Sequence, residues 1–126
     1  MMQDDLIEPR DMLRECRCLN AQREARQLAR RYDAALKPVG LTSGQFAILA
    51  SLNQPEPTPL SRVAEALGLE RTTLTRNLQP LEDAKLVGTA PGSSDRRMRH
   101  LLLTAAGRDR LRMAMPLWRE AQQAWS

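Results

Sequence analysis

The sequence predicts a mainly α fold with one small β-hairpin, and three observations carry that prediction. Apolar residues recur at spacings of three and four in five separate segments, which is the helical period. The period changes once, after Leu86 and Val87, to two short extended runs around a polar turn that contains Gly92. The chain has 126 residues, 42% of them hydrophobic, which suits one modest core and a single domain over residues 1–126.

The first helix is expected from Asp11 to Leu36, a stretch without Gly or Pro in which Cys18, Ala21, Ala25, Leu28, Tyr32 and Ala35 form one stripe. It ends at Lys37-Pro38-Val39-Gly40, where proline disfavours helix before it and glycine frees the backbone after it. Thr42 and Gln45 have the spacing of a capping box and open a second helix with Phe46, Leu49 and Leu52 inward. Residues 53–59 carry three prolines, and the last pair, Thr58 and Pro59, suits an N-cap and first turn. A short third helix follows, with Leu60, Val63, Ala64 and Leu67 on one face and Gly68 as its stop. The fourth helix, about residues 70–84, buries Leu74, Leu78 and Leu81 and turns Thr72, Arg76 and Gln79 outward, with Thr75 on the flank and Arg71 near the start. Pro80 inside it removes a backbone donor and is expected to kink the last turns. The hairpin spans about residues 87–103, and Thr104 caps a last helix to about Trp125 that carries Leu111, Met115, Trp118 and Ala121.

Charge and composition narrow the function. Nineteen Lys and Arg against fifteen Asp and Glu give a net charge of +4, which favours an anionic partner. No apolar run is long enough to span a membrane, and the start MMQDDLIEPRD lacks the basic and apolar regions of a secretory signal, so a cytoplasmic location and no membrane partner are expected. Two cysteines and the lone His100 supply neither a zinc set nor a disulfide framework. The sequence holds no Ser/His/Asp set and no glycine-rich phosphate loop, so no catalytic role and no cofactor are expected.

A short helix, a tight turn at Gly68, a second helix with small hydroxyls and arginines outward, and then a basic hairpin make a winged helix-turn-helix. The major groove of double-stranded DNA admits one helix, whose outward side chains meet the donor and acceptor edges of the bases. Arg71 and Arg76 suit guanine or phosphate, and Thr72, Thr73 and Thr75 are short enough for close approach. Gln79, and Ser61 on the preceding helix, complete the helical candidates. Arg96, Arg97 and Arg99 sit in a thin hairpin that a narrow minor groove can accept. Taken alone, each of these arginines also suits an ordinary solvated surface; the order of motifs is what singles them out. A winged-helix module for protein contact is the rival reading, and the all-arginine wing argues against it.

Three strings, LTSGQFAIL at 41–49, LSRVAEALGLERTTLTRNLQPLE at 60–82 and SDRRMRHLLLTAAGRDRL at 94–111, resemble the MarR family of bacterial transcriptional regulators. The resemblance implies a homodimer on a pseudo-palindromic operator, usually a repressor, with residues 11–37 and 104–126 as dimerisation helices and residues 42–103 as the DNA-binding core. It implies Arg97 as the minor-groove arginine, Asp95 as the acid that orients the wing, and Thr72, Thr75 and Arg76 as recognition-helix contacts. Small aromatic or phenolic effectors act on many members, which points to a pocket near Tyr32 and Phe46. Members commonly continue for a further helix, so either a smaller dimer or a longer chain is expected, and Lys85 stands where many carry glycine. Cys18, Leu28, Leu111, Met115, Trp118 and Trp125 are the expected interface residues.

The thiols leave two readings open. The family's organic-peroxide sensors place a reactive cysteine fourteen residues before a tyrosine, a spacing that Cys18 and Tyr32 reproduce, although Gln22 replaces a second tyrosine. A thiol-based redox repressor using Cys18 is therefore the functional alternative, and inert packing the structural one. On one continuous helix, Cys16 and Cys18 diverge by about 200° and do not face each other.

Overall fold

Cys16 interrupts the helical period of the N-terminal region. In the computed structural model, which describes residues 5–91 and 99–124, α1 runs Pro9–Glu15 and α2 runs Arg17–Leu36. The single helix expected from Asp11 is therefore two, with Cys16 extended between them at φ −77° and ψ 106°. Side chains make the break tolerable. The Asn20 amide donates to the carbonyls of Leu13 at 2.8 Å and Cys16 at 2.9 Å, and Cys16 Sγ accepts the Leu19 amide at 3.4 Å as an N-cap. The break also removes the continuous helix on which the divergence of Cys16 and Cys18 was argued.

A 3₁₀ turn at Lys37–Val39 closes α2, and Gly40 follows in the left-handed region at φ 70°. The expected capping box opens α3 (Ser43–Ser51): Thr42 Oγ1 accepts from the Gln45 amide at 3.1 Å, and the Thr42 amide donates to Gln45 Oε1 at 3.0 Å. Asp33 on α2 accepts the Ser43 amide at 2.6 Å and ties the two helices at that corner.

Thr58 is not the N-cap of the next helix; Pro59 takes that position, without a side-chain bond. The two residues form a short strand, β1, antiparallel to β3 (His100–Leu103), with Thr58 opposite Leu101 and Pro59 opposite His100. β2 (Val87–Thr89) pairs with the other edge of β3, giving the order β1-β3-β2. The hairpin expected from sequence is thus the larger part of a three-stranded sheet. With Thr58 in the sheet and 4% exposed, α4 (Leu60–Leu67) has no side-chain cap, and the Leu60 amide donates to the Arg99 carbonyl at 2.9 Å instead.

Gly68 ends α4 at φ 66°, and α5 spans Arg71–Asp83. Pro80 does not end it, and the helix runs on for one further turn to Asp83. Arg76 and Pro80 are both exposed, so water can satisfy the carbonyl that proline leaves without a helical donor. The core lies where α3, α4 and α5 meet the sheet and α6 (Ala105–Gln123); Leu36, Ile48, Leu49, Leu74, Leu78 and Leu101 are fully buried. Leu111, expected at a dimer interface, is 5% exposed within this core, and Met115 and Trp118 pack against it.

The recognition segment, sheet and last helix meet at one crossing. Lys85 adopts φ 61° after α5, with its amide on Glu82 O at 3.0 Å and the Leu86 amide on Leu81 O at 2.9 Å. Thr104 donates its amide to Leu86 O at 3.2 Å and its hydroxyl to Lys85 O at 2.7 Å, and accepts the Gly107 amide at 3.0 Å. A Cβ on Gly107 would stand 2.0 Å from Leu86 O, so only glycine allows the approach.

Two substitutions test this crossing with opposite signs. Lys85→Gly relieves the left-handed backbone and should stabilise by about 0.5–1 kcal/mol, whereas Gly107→Ala should destabilise by about 3 kcal/mol. Urea unfolding at matched protein concentration checks both, since any self-association shifts apparent stability.

Candidate nucleic-acid interface

The faces of α5 are set by its period. Leu74, Leu78 and Leu81 are buried, while Arg71, Thr72, Thr75, Arg76 and Gln79 are exposed on the other side. Thr73 is half-buried and set back from that face, and Ser61 is exposed in the first turn of α4. The structure thus brings together five of the six α5 candidates and places Ser61 on the adjoining helix.

Polar partners keep parts of this face in order. Thr75 Oγ1 donates to the Arg71 carbonyl at 2.9 Å, which leaves its oxygen lone pairs available. Gln79 Nε2 donates to Asp83 Oδ1 at 2.9 Å, leaving the amide oxygen and a second N–H. Arg76 has no hydrogen-bond or ion-pair partner among the described residues. A five-donor fork with a free approach is the side chain best suited to guanine or phosphate.

Of the wing residues, Asp95, Arg96 and Arg97 lie outside the described residues. Arg99 is described, and it does not project: Nη2 donates to Glu82 Oε2 at 2.6 Å and to Thr89 Oγ1 at 3.2 Å, with side-chain exposures of 23% for Arg99 and 26% for Glu82. Sequence reasoning missed Glu82. An acid in the last turn of a helix is disfavoured by the macrodipole, which is the one sign that it needed a cation. It also missed two ties from α6, Arg108 to Asn53 Oδ1 at 3.2 Å and Arg110 to the Val39 carbonyl at 3.1 Å.

The residues expected to line an effector pocket are engaged with α6. Phe46 is 8% exposed and stacks on Trp118 with ring centroids 5.6 Å apart, and Tyr32 Oη donates to Gln122 Oε1. Open space lies further along the same helices. A groove of about 360 Å³ is lined by Arg31, Ala35, Leu117, Glu120, Ala121 and Ala124, and another of about 460 Å³ by Glu24, Gln27, Leu28, Arg30, Arg31 and Ala34. Cys18 is exposed and Cys16 partly so. Fourteen residues of α2 put Cys18 and Tyr32 about 21 Å apart, so they do not meet within one protomer. Trp125 lies outside the described residues.

A recognition helix with a polar outer face, held on α4 by a glycine turn and flanked by a small sheet, defines a winged helix-turn-helix DNA-binding protein. A helix-turn-helix domain family matches residues 45–88. Over 88% of its length the chain is 43% identical to the Mycobacterium tuberculosis transcriptional regulator MosR solved in complex with DNA, covering 84% of that chain with a TM-score of 0.78. It is 28% identical to the transcriptional repressor CouR bound to a 23-mer DNA duplex, over 89% of this chain and 79% of that one, TM-score 0.70. A MarR family protein of M. tuberculosis, also in complex with DNA, is 27% identical over 84% of this chain and 78% of that one, TM-score 0.64. The chain belongs to the MarR family, and it is a DNA-binding transcriptional regulator.

Arg76→Ala should weaken binding to a specific duplex by about 1–3 kcal/mol. Its exposed position should leave the thermal midpoint unchanged. Anisotropy titrations beside thermal melts check both.

Proposed function

We propose that this protein is a cytoplasmic homodimer that reads a pseudo-palindromic operator in double-stranded DNA and acts as a repressor released by a small-molecule effector. The observation that carries the reading is the exposed polar face of α5, with Arg71, Thr72, Thr75, Arg76 and Gln79 outward over a wholly buried leucine stripe. In this reading residues 42–103 form the DNA-binding core and Arg96 and Arg97 enter the minor groove, with Asp95 orienting the wing. Residues 11–37 and 104–126 form the dimerisation helices.

The N-terminal helices support a second copy. Leu6, Ile7, Met12 and Leu13 are 74%, 61%, 38% and 44% exposed, and Cys18, Ala21 and Ala25, the first half of the α2 stripe, are exposed too. A stripe of helical period left uncovered in one chain is the ordinary signature of an association face. A partner that covers it would bring the two recognition helices about 34 Å apart, or a small multiple of that. The two grooves flanking Arg31 lie on these helices, so an effector held there would act on dimer geometry. CouR of Rhodococcus jostii has been crystallised bound to p-coumaroyl-CoA, a phenolic ligand, which supports a small-molecule effector here. With about four phosphates neutralised per protomer, log affinity should fall with log salt at a slope of about −7.

The test is fluorescence anisotropy against short duplexes at two salt concentrations, beside Arg97→Ala and a sedimentation run. Saturable, sequence-selective binding by a dimer, weakened in the variant, is the expected result. A monomer, or binding equal for all duplexes and indifferent to Arg97, would refute it and favour a protein-contact module.

A second reading, a thiol switch at Cys18, is favoured by the place of that thiol, outside the protomer core and on the proposed association face, where oxidation would act on the dimer. On this reading a peroxide weakens operator binding of the wild type, and Cys18→Ser removes the response. Binding that is the same before and after oxidation would sink it.

A further inference from the structure

Arg99 stands at the junction of four elements. Its guanidinium donates to Glu82 in the last turn of α5 and to Thr89 at the end of β2, while its backbone carbonyl takes the first amide of α4 and its neighbour His100 begins β3. Both partners of the ion pair are about three-quarters buried. Glu82 sits at a helix C-terminus and beside a surface that must meet phosphates, two settings that disfavour an anion. The Arg99 cation answers both at once, and its fork is directed into the protein rather than towards solvent.

We propose that Arg99 is a positioning residue for DNA binding: it fixes the angle between the wing and the recognition helix and makes no DNA contact of its own. This rests on the reading of α5 and the wing as the DNA surface. It replaces the sequence-based expectation that Arg99 joins Arg96 and Arg97 as a contact. The wing is a lever. Its inner end is fixed where Thr104 grips Lys85 and Leu86, and the Thr89–Leu101 pair is two residues further out, about 7 Å along the strands. Further out, β1 holds β3 at Leu101 and His100, and the Leu60 amide holds the Arg99 carbonyl, which ties the strand to α4. The Arg99 side chain adds the tie at this level to α5 itself, through Glu82. With the strands held to α5 as well as to α4, the wing is offered to DNA in register with the recognition helix, and little orientational freedom is lost on binding.

Removal of the acid separates the alternatives, because the two roles predict opposite signs. If Arg99 contacts DNA, Glu82→Gln frees it and deletes a nearby negative charge, so binding tightens. If Arg99 positions the wing, Glu82→Gln loosens the wing and binding weakens.

The experiment uses the full chain and a duplex that the wild-type protein selects from a random-sequence pool, titrated by anisotropy over a salt series. Arg99→Ala, Glu82→Gln and the double variant are compared with Arg97→Ala. Each single variant should weaken binding roughly tenfold, with the double no worse than either. The salt slope should stay within about half a unit of wild type, while a lost phosphate contact lowers it by about one. Discrimination between A·T and G·C steps under the wing should flatten, and discrimination under α5 should persist, a split that a general loss of stability does not produce. Tighter binding by Glu82→Gln, or a slope lowered by about one in Arg99→Ala, would overturn the proposal. So would wild-type binding by both single variants. Should Arg99→Ala fail to fold, the isosteric Glu82→Gln decides alone. A wild-type protein that enriches no duplex overturns the DNA reading itself and this assignment with it, a result visible before any variant is made.

Discussion

The crossing of Leu86 and Gly107 is the constraint on which the rest of the structure depends. At that point the chain leaving the recognition helix passes the first turn of the last helix with no room for a methyl group between them. Thr104 fastens both segments through its amide and both functions of its hydroxyl. The end of α5, the first rung of β2, the last rung of β3 and the start of α6 are therefore placed by one residue pair. The sheet could not sit higher or lower on α5 without breaking this contact. The backbone accommodates it with a lysine in the left-handed region, a conformation that costs about 1 kcal/mol or more for a residue with a side chain.

Much of this was legible because the signals were local. The capping box at Thr42 and Gln45, the glycine stops at Gly40 and Gly68, and the cap at Thr104 each involve residues within four positions of one another, and each formed as expected. The exposed face of α5 followed from a period of 3.6 and needed no knowledge of the remainder. What stayed hidden depended on distant partners. β1 exists only because β3, over forty residues later, presents an open edge to Thr58. The break at Cys16 depends on Asn20 reaching back seven residues to Leu13, a bond that no helical periodicity announces. The ion pair of Arg99 stayed hidden for the same reason: a basic hairpin reads as one uniform patch until Glu82, seventeen positions away in sequence, claims one member of it.

The helices outside the winged core follow a different economy. Of the twenty residues of α2 only Leu36 is buried, and α6 buries only Gly107, Leu111 and Ala114. Leu111, Trp118, Tyr32 and Phe46 were expected to serve association or ligand binding, yet the protomer uses them to hold α6 against α2 and α3. The large apolar side chains left exposed lie elsewhere, at Leu6, Ile7, Met12 and Leu13 near the start of the chain and at Met113 on α6.

Three polar ties of α6 lie near its start, and the bond from Tyr32 to Gln122 lies at its far end. Thr104, Arg108 and Arg110 bind the crossing, the loop after α3 and the corner after α2, all within two turns. Beyond them the helix continues for about 18 Å to Gln123 and contains Pro116, which deletes one rung of its ladder. Tyr32 holds its far end at Gln122 and Phe46 stacks on Trp118 midway, so in mechanical terms the helix is a beam supported at both ends. Because its near support also fixes the root of the wing, a shift of α2 at the far support turns the beam about the crossing that places the DNA-facing elements.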